Sequence, residues 1–185
     1  MTGLRLRDPD DPEYLTDSRS VIAYHLHGSL AWLRDPTTDR VYKAASLEVL
    51  RDDLDFFESV ADGDATLEPV VVLTDRKRAA IAREPFASAY RMLQTSVATA
   101  DTLIIAGYGF GDIPLNTALG DALAARTRLP RVAVIGYGRA RVVRNVAVRK
   151  LGRTDRSLRE AIDARARICG HGLPAAVDCL KGWGR

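Results

Sequence analysis

Aromatic side chains make up only 6% of these 185 residues, and cysteine occurs twice, at Cys169 and Cys179. Two thiols placed so late build no disulfide framework, and no pair of Cys-x-x-Cys motifs offers a zinc site. No apolar run approaches the roughly 18 residues that a membrane-crossing helix needs. The opening residues, MTGLRLRDPDDPEY, carry no apolar signal core. These absences predict a cytoplasmic protein in reducing surroundings, with no membrane partner. A nucleophile-elbow serine, a P-loop lysine and a Cys/His dyad are also missing, which leaves the usual hydrolase and nucleoside-triphosphatase readings without support.

What is present suits a folded α/β chain. Hydrophobic residues make up 46% and charged residues 28%, the balance of a soluble globular protein of one domain. The net charge of +3 hides an asymmetry. Residues 1–125 hold 12 Lys and Arg against 20 Asp and Glu, whereas residues 126–185 hold 15 against 4. A basic end of this kind either meets nucleic acid or another anionic partner, or lies as arginines on solvated helix faces. Trp183 is the one strong aromatic in the tail, so the stacking platform of single-strand binders is missing.

Along the chain, residues 1–20 form a polar entry segment with a breaker cluster from Asp8 to Pro12. Val21 to Leu26 (VIAYHL) predicts a strand ending at His27-Gly28-Ser29, and a loop through Arg34, Asp35 and Pro36 follows. Ser46 predicts a helix cap, with Val49, Leu50, Leu54 and Phe57 on one face and a stop at Asp62-Gly63-Asp64. Pro69 to Leu73 (PVVVL) is a β-branched run of the type covered on both faces in parallel sheets. Pro85 suits a first helical position, with Phe86, Tyr90, Leu93 and Val97 at helical spacing. The strand TLIIAGY follows Asp101. Pro114 then opens a helix with Leu115, Leu119 and Leu123 in one stripe. Arg131 to Gly136 (RVAVIG) is another buried-type strand. Basic helices are expected near 139–150 and 154–169, and little pattern beyond Gly170. Such alternation predicts a parallel sheet with helices on both faces.

Ligands of open parallel sheets bind beyond the carboxyl ends of the strands. The most specific sequence there is Gly107-Tyr108-Gly109-Phe110-Gly111-Asp112. Glycines after a buried strand let backbone N–H groups approach phosphate or ribose, and the next helix points its positive end the same way. The same residues also suit a tight strand-to-helix turn. Asp112 either caps the helix or accepts ribose hydroxyls, and Asn116 bonds either a ribose or the backbone. Gly136-Tyr137-Gly138 ends the last strand in a similar way. His27 suits a general base or a structural role. His25, two residues earlier, would share its face, and no third ligand makes a metal site of the pair. Arg76, Lys77 and Arg78 either meet phosphate or form a solvated loop.

Three blocks in order, Tyr24 to Leu30 with Trp32, Pro69 to Leu73 with Pro85-Phe86 and Tyr90, and Ala100 to Asp112 with Leu115-Asn116, resemble SIR2-like, sirtuin-related domains over residues 21–137. The resemblance implies a Rossmann-like fold that binds NAD or ADP-ribose. It puts His27 on the family's catalytic histidine and Gly107, Tyr108, Gly109 and Asn116 on the nucleotide-contacting turn. Gly28, Ser29 and Asp112 are read as cofactor-contacting beside them. Related bacterial domains imply hydrolysis of NAD to nicotinamide and ADP-ribose in antiviral defence; true sirtuins imply lysine deacylation. Gly109 departs from the family's serine. No zinc cysteines lie between His27 and Pro69, which argues against a deacylase and for no bound zinc. The glycine-rich strand and asparagine-bearing segment that precede the histidine in the family have no counterpart. The expected organisation is therefore an entry segment at 1–20, a partial domain at 21–150 representing the C-terminal half of the family fold, and a basic helical extension at 151–185. A sheet incomplete on its N-terminal side predicts self-association or a partner chain that completes it. The alternative expectation is an inactive nucleotide-binding or protein-interaction module.

Overall fold

The computed structural model describes residues 4–6, 25–44, 67–72, 77–153, 155–181 and 183, with residues 4–6, 43 and 44 as backbone alone. The chain divides into two compact units, Met1–Tyr90 and Arg91–Arg185. Each has its own sheet.

In the first unit, β1 (Leu4–Leu6), β2 (Gly28–Arg34), β3 (Val41–Ala44) and β4 (Glu68–Val71) form a sheet in the order β1-β3-β2-β4. Every neighbouring pair in it is antiparallel. A turn at Asp35–Thr38 joins β2 to β3. Its carboxylate accepts from the Thr38 hydroxyl at 2.7 Å and the Thr37 N–H at 2.8 Å. Those bonds, Thr38 first, hold the Asp35 carboxyl below its usual pKa. Trp32, only 1% exposed, packs with Val41, Val70, Val72 and Phe86 as the core. Helix α1 (Lys77–Ile81) adds Ala80 and Ile81 at its margin.

Two expectations are corrected here. His25–His27 form a turn, closed by the Gly28 N–H donating to the His25 carbonyl at 3.1 Å, and the strand starts where it was expected to stop. Val21 to Tyr24 lie outside the described residues, as do the helix expected after Ser46 and Arg76. The PVVVL strand is present as β4, but it pairs antiparallel with β2 instead of joining a parallel sheet. An apolar run reports burial and carries no information on strand direction.

Gly28 explains why β2 begins there. Its φ is +86°, and a Cβ at this position would lie 1.8 Å from the Val70 carbonyl oxygen. Only glycine allows both that backbone conformation and that approach. The β2–β4 register then shifts between Ser29 and Leu33. Within this irregularity the Ser29 hydroxyl accepts from the Ala31 N–H at 3.2 Å.

Helix α2 (Phe86–Thr99) crosses the division between units. In the second unit β5 (Thr102–Ala106), β6 (Arg131–Ile135) and β7 (Arg167–Cys169) form a parallel sheet in the order β5-β6-β7. The described architecture is thus mixed α/β, with a three-stranded parallel sheet flanked by helices. Helix α3 (Ile113–Ala124) connects β5 to β6, and α4 (Ala140–Leu151) and α5 (Arg156–Arg165) lie between β6 and β7 in the chain. Helix α6 (Leu173–Leu180) follows, in the tail expected to lack pattern. β7 takes the place of the last turn of the helix expected at 154–169. Ala133 and Val134 of β6 are fully buried. β5 pairs with β6 on one side, and Ile104 is 53% exposed, so its apolar run is not covered on both faces as expected.

Arginines tie the helices at their carbonyl ends. Arg126 donates to the Val97 and Ala98 carbonyls at the end of α2. Arg159 donates to the Gly152 carbonyl after α4, and Arg167 to the Cys179 carbonyl near the end of α6. Cations there complement both the unpaired carbonyls and the helix dipole. Among the described residues no helix is long and apolar enough to cross a membrane.

Gly28→Ala should destabilise the first unit by more than about 2 kcal/mol through clash and backbone strain, whereas Ser29→Ala should cost under about 1 kcal/mol. Urea unfolding followed by tryptophan fluorescence measures both. An unchanged midpoint for Gly28→Ala would contradict the close approach to Val70.

Candidate functional site

The carboxyl ends of β5 and β6 run directly into two glycine turns. The sheet ladder continues past the strands, because Gly107 N–H donates to the Ile135 carbonyl and Gly136 N–H donates to the Cys169 carbonyl, each at 3.0 Å. Both turns are therefore fixed by the sheet they leave. Gly107 then adopts φ +66°, a conformation that costs glycine little and other residues much more.

The first turn is held from below by side chains of α3. Phe110 also has a left-handed φ, +57°, yet is a buried aromatic residue. Such a conformation costs of order 1–3 kcal/mol and persists only where neighbours over-determine it. Here the Asn116 amide donates to the Phe110 carbonyl at 3.0 Å, and the Phe110 ring packs on Tyr108 at 4.8 Å between centroids. The Tyr108 hydroxyl lies 2.9 Å from Asn116 Oδ1 and 3.0 Å from the Asp112 carbonyl oxygen, its one proton shared between two acceptors. Asp112 caps α3, accepting from the Leu115 N–H at 3.0 Å.

The two readings left open by the sequence are thereby separated. Asp112 is the helix cap, and Asn116, 5% exposed, bonds the backbone. A capping carboxylate also places negative charge at the helix end expected to receive phosphate.

Above the turns lies an open cavity of about 210 Å³. Tyr108, Phe110 and Tyr137 give it aromatic walls, Val142, Val143 and Val146 of α4 give it an aliphatic one, and glycine backbone fills the rest. A Cβ at Gly107 or Gly109 would meet nothing within 4 Å, so the backbone there is open to a ligand. Tyr137, 81% exposed, stands at the rim. Helix α4 begins beside it with no side-chain cap and no acidic residue in its first turn, flanked by Arg139 and Arg141.

Gly28 and Ser29 lie in β2 of the antiparallel sheet of the first unit and His27 in the turn before it, whereas Gly107 to Asp112 and Asn116 follow β5 of the parallel sheet of the second. The expectation that His27 and the glycine turn emerge on one rim of one sheet is therefore corrected. The His27 carbonyl accepts from the Val72 N–H at 2.9 Å, and the His25 ring stands edge-on to Trp32 at 5.8 Å. Among the described residues no group of three or more His, Cys, Asp or Glu side chains is placed to hold a metal ion. Sequence reasoning noted Gly136-Tyr137-Gly138 at the strand's end without naming Tyr137 as a site residue, and missed Val142 and Val146. The signal available was Gly136-Tyr137-Gly138 at a second strand's end, followed by apolar residues at helical spacing.

No protein-family model and no curated protein matches this chain.

Asn116→Leu should cost roughly 2–3 kcal/mol, since it strands the Phe110 carbonyl and removes an acceptor of the Tyr108 proton. Asp112→Asn should cost under about 1 kcal/mol, because asparagine also caps helices. Urea denaturation of both variants checks the order, and equal losses would mean that Asn116 does not hold the turn.

Proposed function

We propose that the second unit is a Rossmann-like nucleotide-binding module of SIR2-like type, taking NAD or ADP-ribose at the carboxyl edge of its parallel sheet. One observation carries the reading: an open cavity with aromatic walls sits where two adjacent parallel strands end in glycine turns. That edge is where open α/β sheets bind ligands. Flat aromatic faces and aliphatic side chains suit a heterocyclic ring, and the open backbone at Gly107 and Gly109 suits a ribose. The phosphates are directed to α4, whose uncapped first turn is flanked by Arg139 and Arg141, and not to α3, which Asp112 already caps. The ordered blocks that resemble SIR2-like domains select NAD or ADP-ribose within the nucleotide class.

At about 210 Å³ the cavity falls below the roughly 300–1,000 Å³ of sites that enclose a whole small ligand. It seats one end of a dinucleotide, so affinity in the range of ~10–1,000 µM is expected.

Hydrolysis of NAD, with His27 activating a ribose hydroxyl or water, is the catalytic extension of this proposal. Binding without turnover is the second reading. It is favoured by a specific observation, that His27 precedes a strand of the antiparallel sheet whereas the glycine turn leaves a strand of the parallel one.

Calorimetry with NAD and ADP-ribose tests the binding, with Gly109→Leu as the blocked variant. A Cβ at 109 would meet nothing within 4 Å and Gly109 lines the cavity, so the variant should fold normally while its side chain occludes the cavity. Affinity should fall more than ~10-fold. No heat from wild type at millimolar ligand, or equal affinity in the variant, would overturn the proposal. Nicotinamide release by wild type that disappears in His27→Ala would establish the hydrolase; its absence from both would leave a binding module.

A further inference from the structure

The two cysteines are joined. Cys169 at the end of β7 and Cys179 in α6 form a disulfide, with their Cα atoms 5.8 Å apart. A pair taken from the sequence as two separate thiols is thus a cross-link, placed against the cavity wall.

We propose that this disulfide is a redox clamp on the nucleotide cavity, closed when oxidised and released by a dithiol reductant. The effect on ligand affinity rests on the nucleotide reading above; the clamp itself does not.

The backbone supplies the connection. The Cys169 carbonyl accepts from the Gly136 N–H at 3.0 Å. Two residues on, His171 N–H donates to the Gly138 carbonyl and Gly172 N–H to the Gly136 carbonyl, both at 3.0 Å. Segment 169–172 is therefore stitched to segment 136–138, which forms one wall of the cavity. The Tyr137 ring also lies over Gly172, where a Cβ would come within 3.1 Å of it. Tyr137 is otherwise almost fully in solvent, so Gly172 is its backing.

Helix α6 continues directly from segment 169–172, and α6 is thinly attached. Its contact cluster is Ile135, Cys169 and Ala176, with Cys179 and Leu180 at the margin. Leu173 and Val177 point into solvent. A helix with so small an apolar footprint depends on its tethers, among them the disulfide and the Arg167 bond to the Cys179 carbonyl, with Arg131 against Trp183 just beyond the helix end. Cutting the disulfide leaves the helix joined to β7 by the short link through Gly170, His171 and Gly172. Such a segment opens locally at little cost.

The chemistry balances with a dithiol alone. Cys169 is 1% exposed and Cys179 is half-buried, so the incoming thiolate attacks Sγ of Cys179. The Cys169–Cys179 bond breaks, and Cys169 leaves as a thiolate that takes up a proton. The second thiol of the reductant attacks the mixed disulfide, closes its own disulfide, and passes its proton to the departing Cys179 thiolate. The protein gains two thiols and the reductant loses two. Linkage then works both ways: if the oxidised form binds nucleotide better, bound nucleotide slows reduction.

The test is amide hydrogen exchange on the full chain, oxidised and after dithiothreitol, with the Cys169→Ala/Cys179→Ala double variant as a second route to the open state. Release should speed exchange more than ~10-fold in α6, at His171 and Gly172, whose N–H groups donate to Gly138 and Gly136, and at Gly136, while β5 and α3 keep their protection. ADP-ribose affinity should weaken by ~5-fold or more. Unchanged exchange at the amides of Gly136, His171 and Gly172 in the reduced protein would overturn the clamp, whether or not α6 itself loosens. Faster exchange there with no ADP-ribose binding in either state would uphold the clamp and overturn the nucleotide reading instead. Faster exchange with equal affinity in both states would overturn the control of binding.

Discussion

The second unit depends on one buried strand. β6 pairs with β5 on one side and β7 on the other, and Val132 to Ile135 are withdrawn from water. A peptide group in that position cannot turn to solvent for a partner, so its neighbours must satisfy it. They do so in parallel register, Ala106 opposite Ile135 and Ile135 opposite Cys169. The same obligation extends one residue beyond the strand ends, where Gly107 and Gly136 take the next carbonyls. The glycine turns are thus fixed as continuations of a buried ladder. That is why two short loops, one leaving β5 and the other leaving β6, present a common edge, and why Gly136 is bonded directly to Cys169.

The charge asymmetry takes on a specific meaning against this frame. Arg126, Arg159 and Arg167 each satisfy carbonyls at a helix end. Arg144 reaches Asp163 between α4 and α5, and Arg156 pairs with Glu160 within α5. The two pairs lie near the surface and contribute little, of order 0–1 kcal/mol each. The carbonyl contacts matter more, because they finish helices that carry no acidic residue in the first turn. Much of the basic excess is thereby committed to intramolecular work, which weakens its reading as a footprint for nucleic acid. Arg139 and Arg141 differ in lying at a helix start, where their charges add to the dipole and favour an anion.

Several elements were legible in the sequence because their signals are local. β6 follows from an unbroken run of buried residues, α3 from Asp112, Pro114 and a leucine stripe, and the glycine turn from its composition. The antiparallel sheet was not legible, because PVVVL looks the same beside a parallel or an antiparallel neighbour. Its pairing with β2 is set by Gly28, whose role is a close approach to Val70, a contact between residues 42 positions apart. His27 was read at a strand's end on the strength of VIAYHL, yet the residues just before Gly28 form a turn. Helix α6 had a readable pattern in Leu173, Ala176, Val177 and Leu180, and short length and flanking glycines hid it. The disulfide was invisible for the reason that spacing in the chain carries no distance in space.

The division of labour around the glycine turn sets what a ligand can meet there. The polar side chains that looked most useful from the sequence, Asp112 and Asn116, support the loop from within, and a buried amide holding a strained residue cannot be released cheaply to serve a ligand. Recognition is left to what faces outward: the rings of Tyr108 and Tyr137, the valines of α4, and the backbone of Gly107, Gly109 and Gly136. Those groups read flatness and apolar area more than a pattern of donors and acceptors, so selectivity between heterocycles is weak at this wall. Under the nucleotide proposal, any sharper choice falls to Arg139 and Arg141 at the start of α4, whose charges favour an anion. Under that proposal affinity and specificity have separate sources, the first in an apolar wall beside segment 169–172 and the second in charge at a helix end.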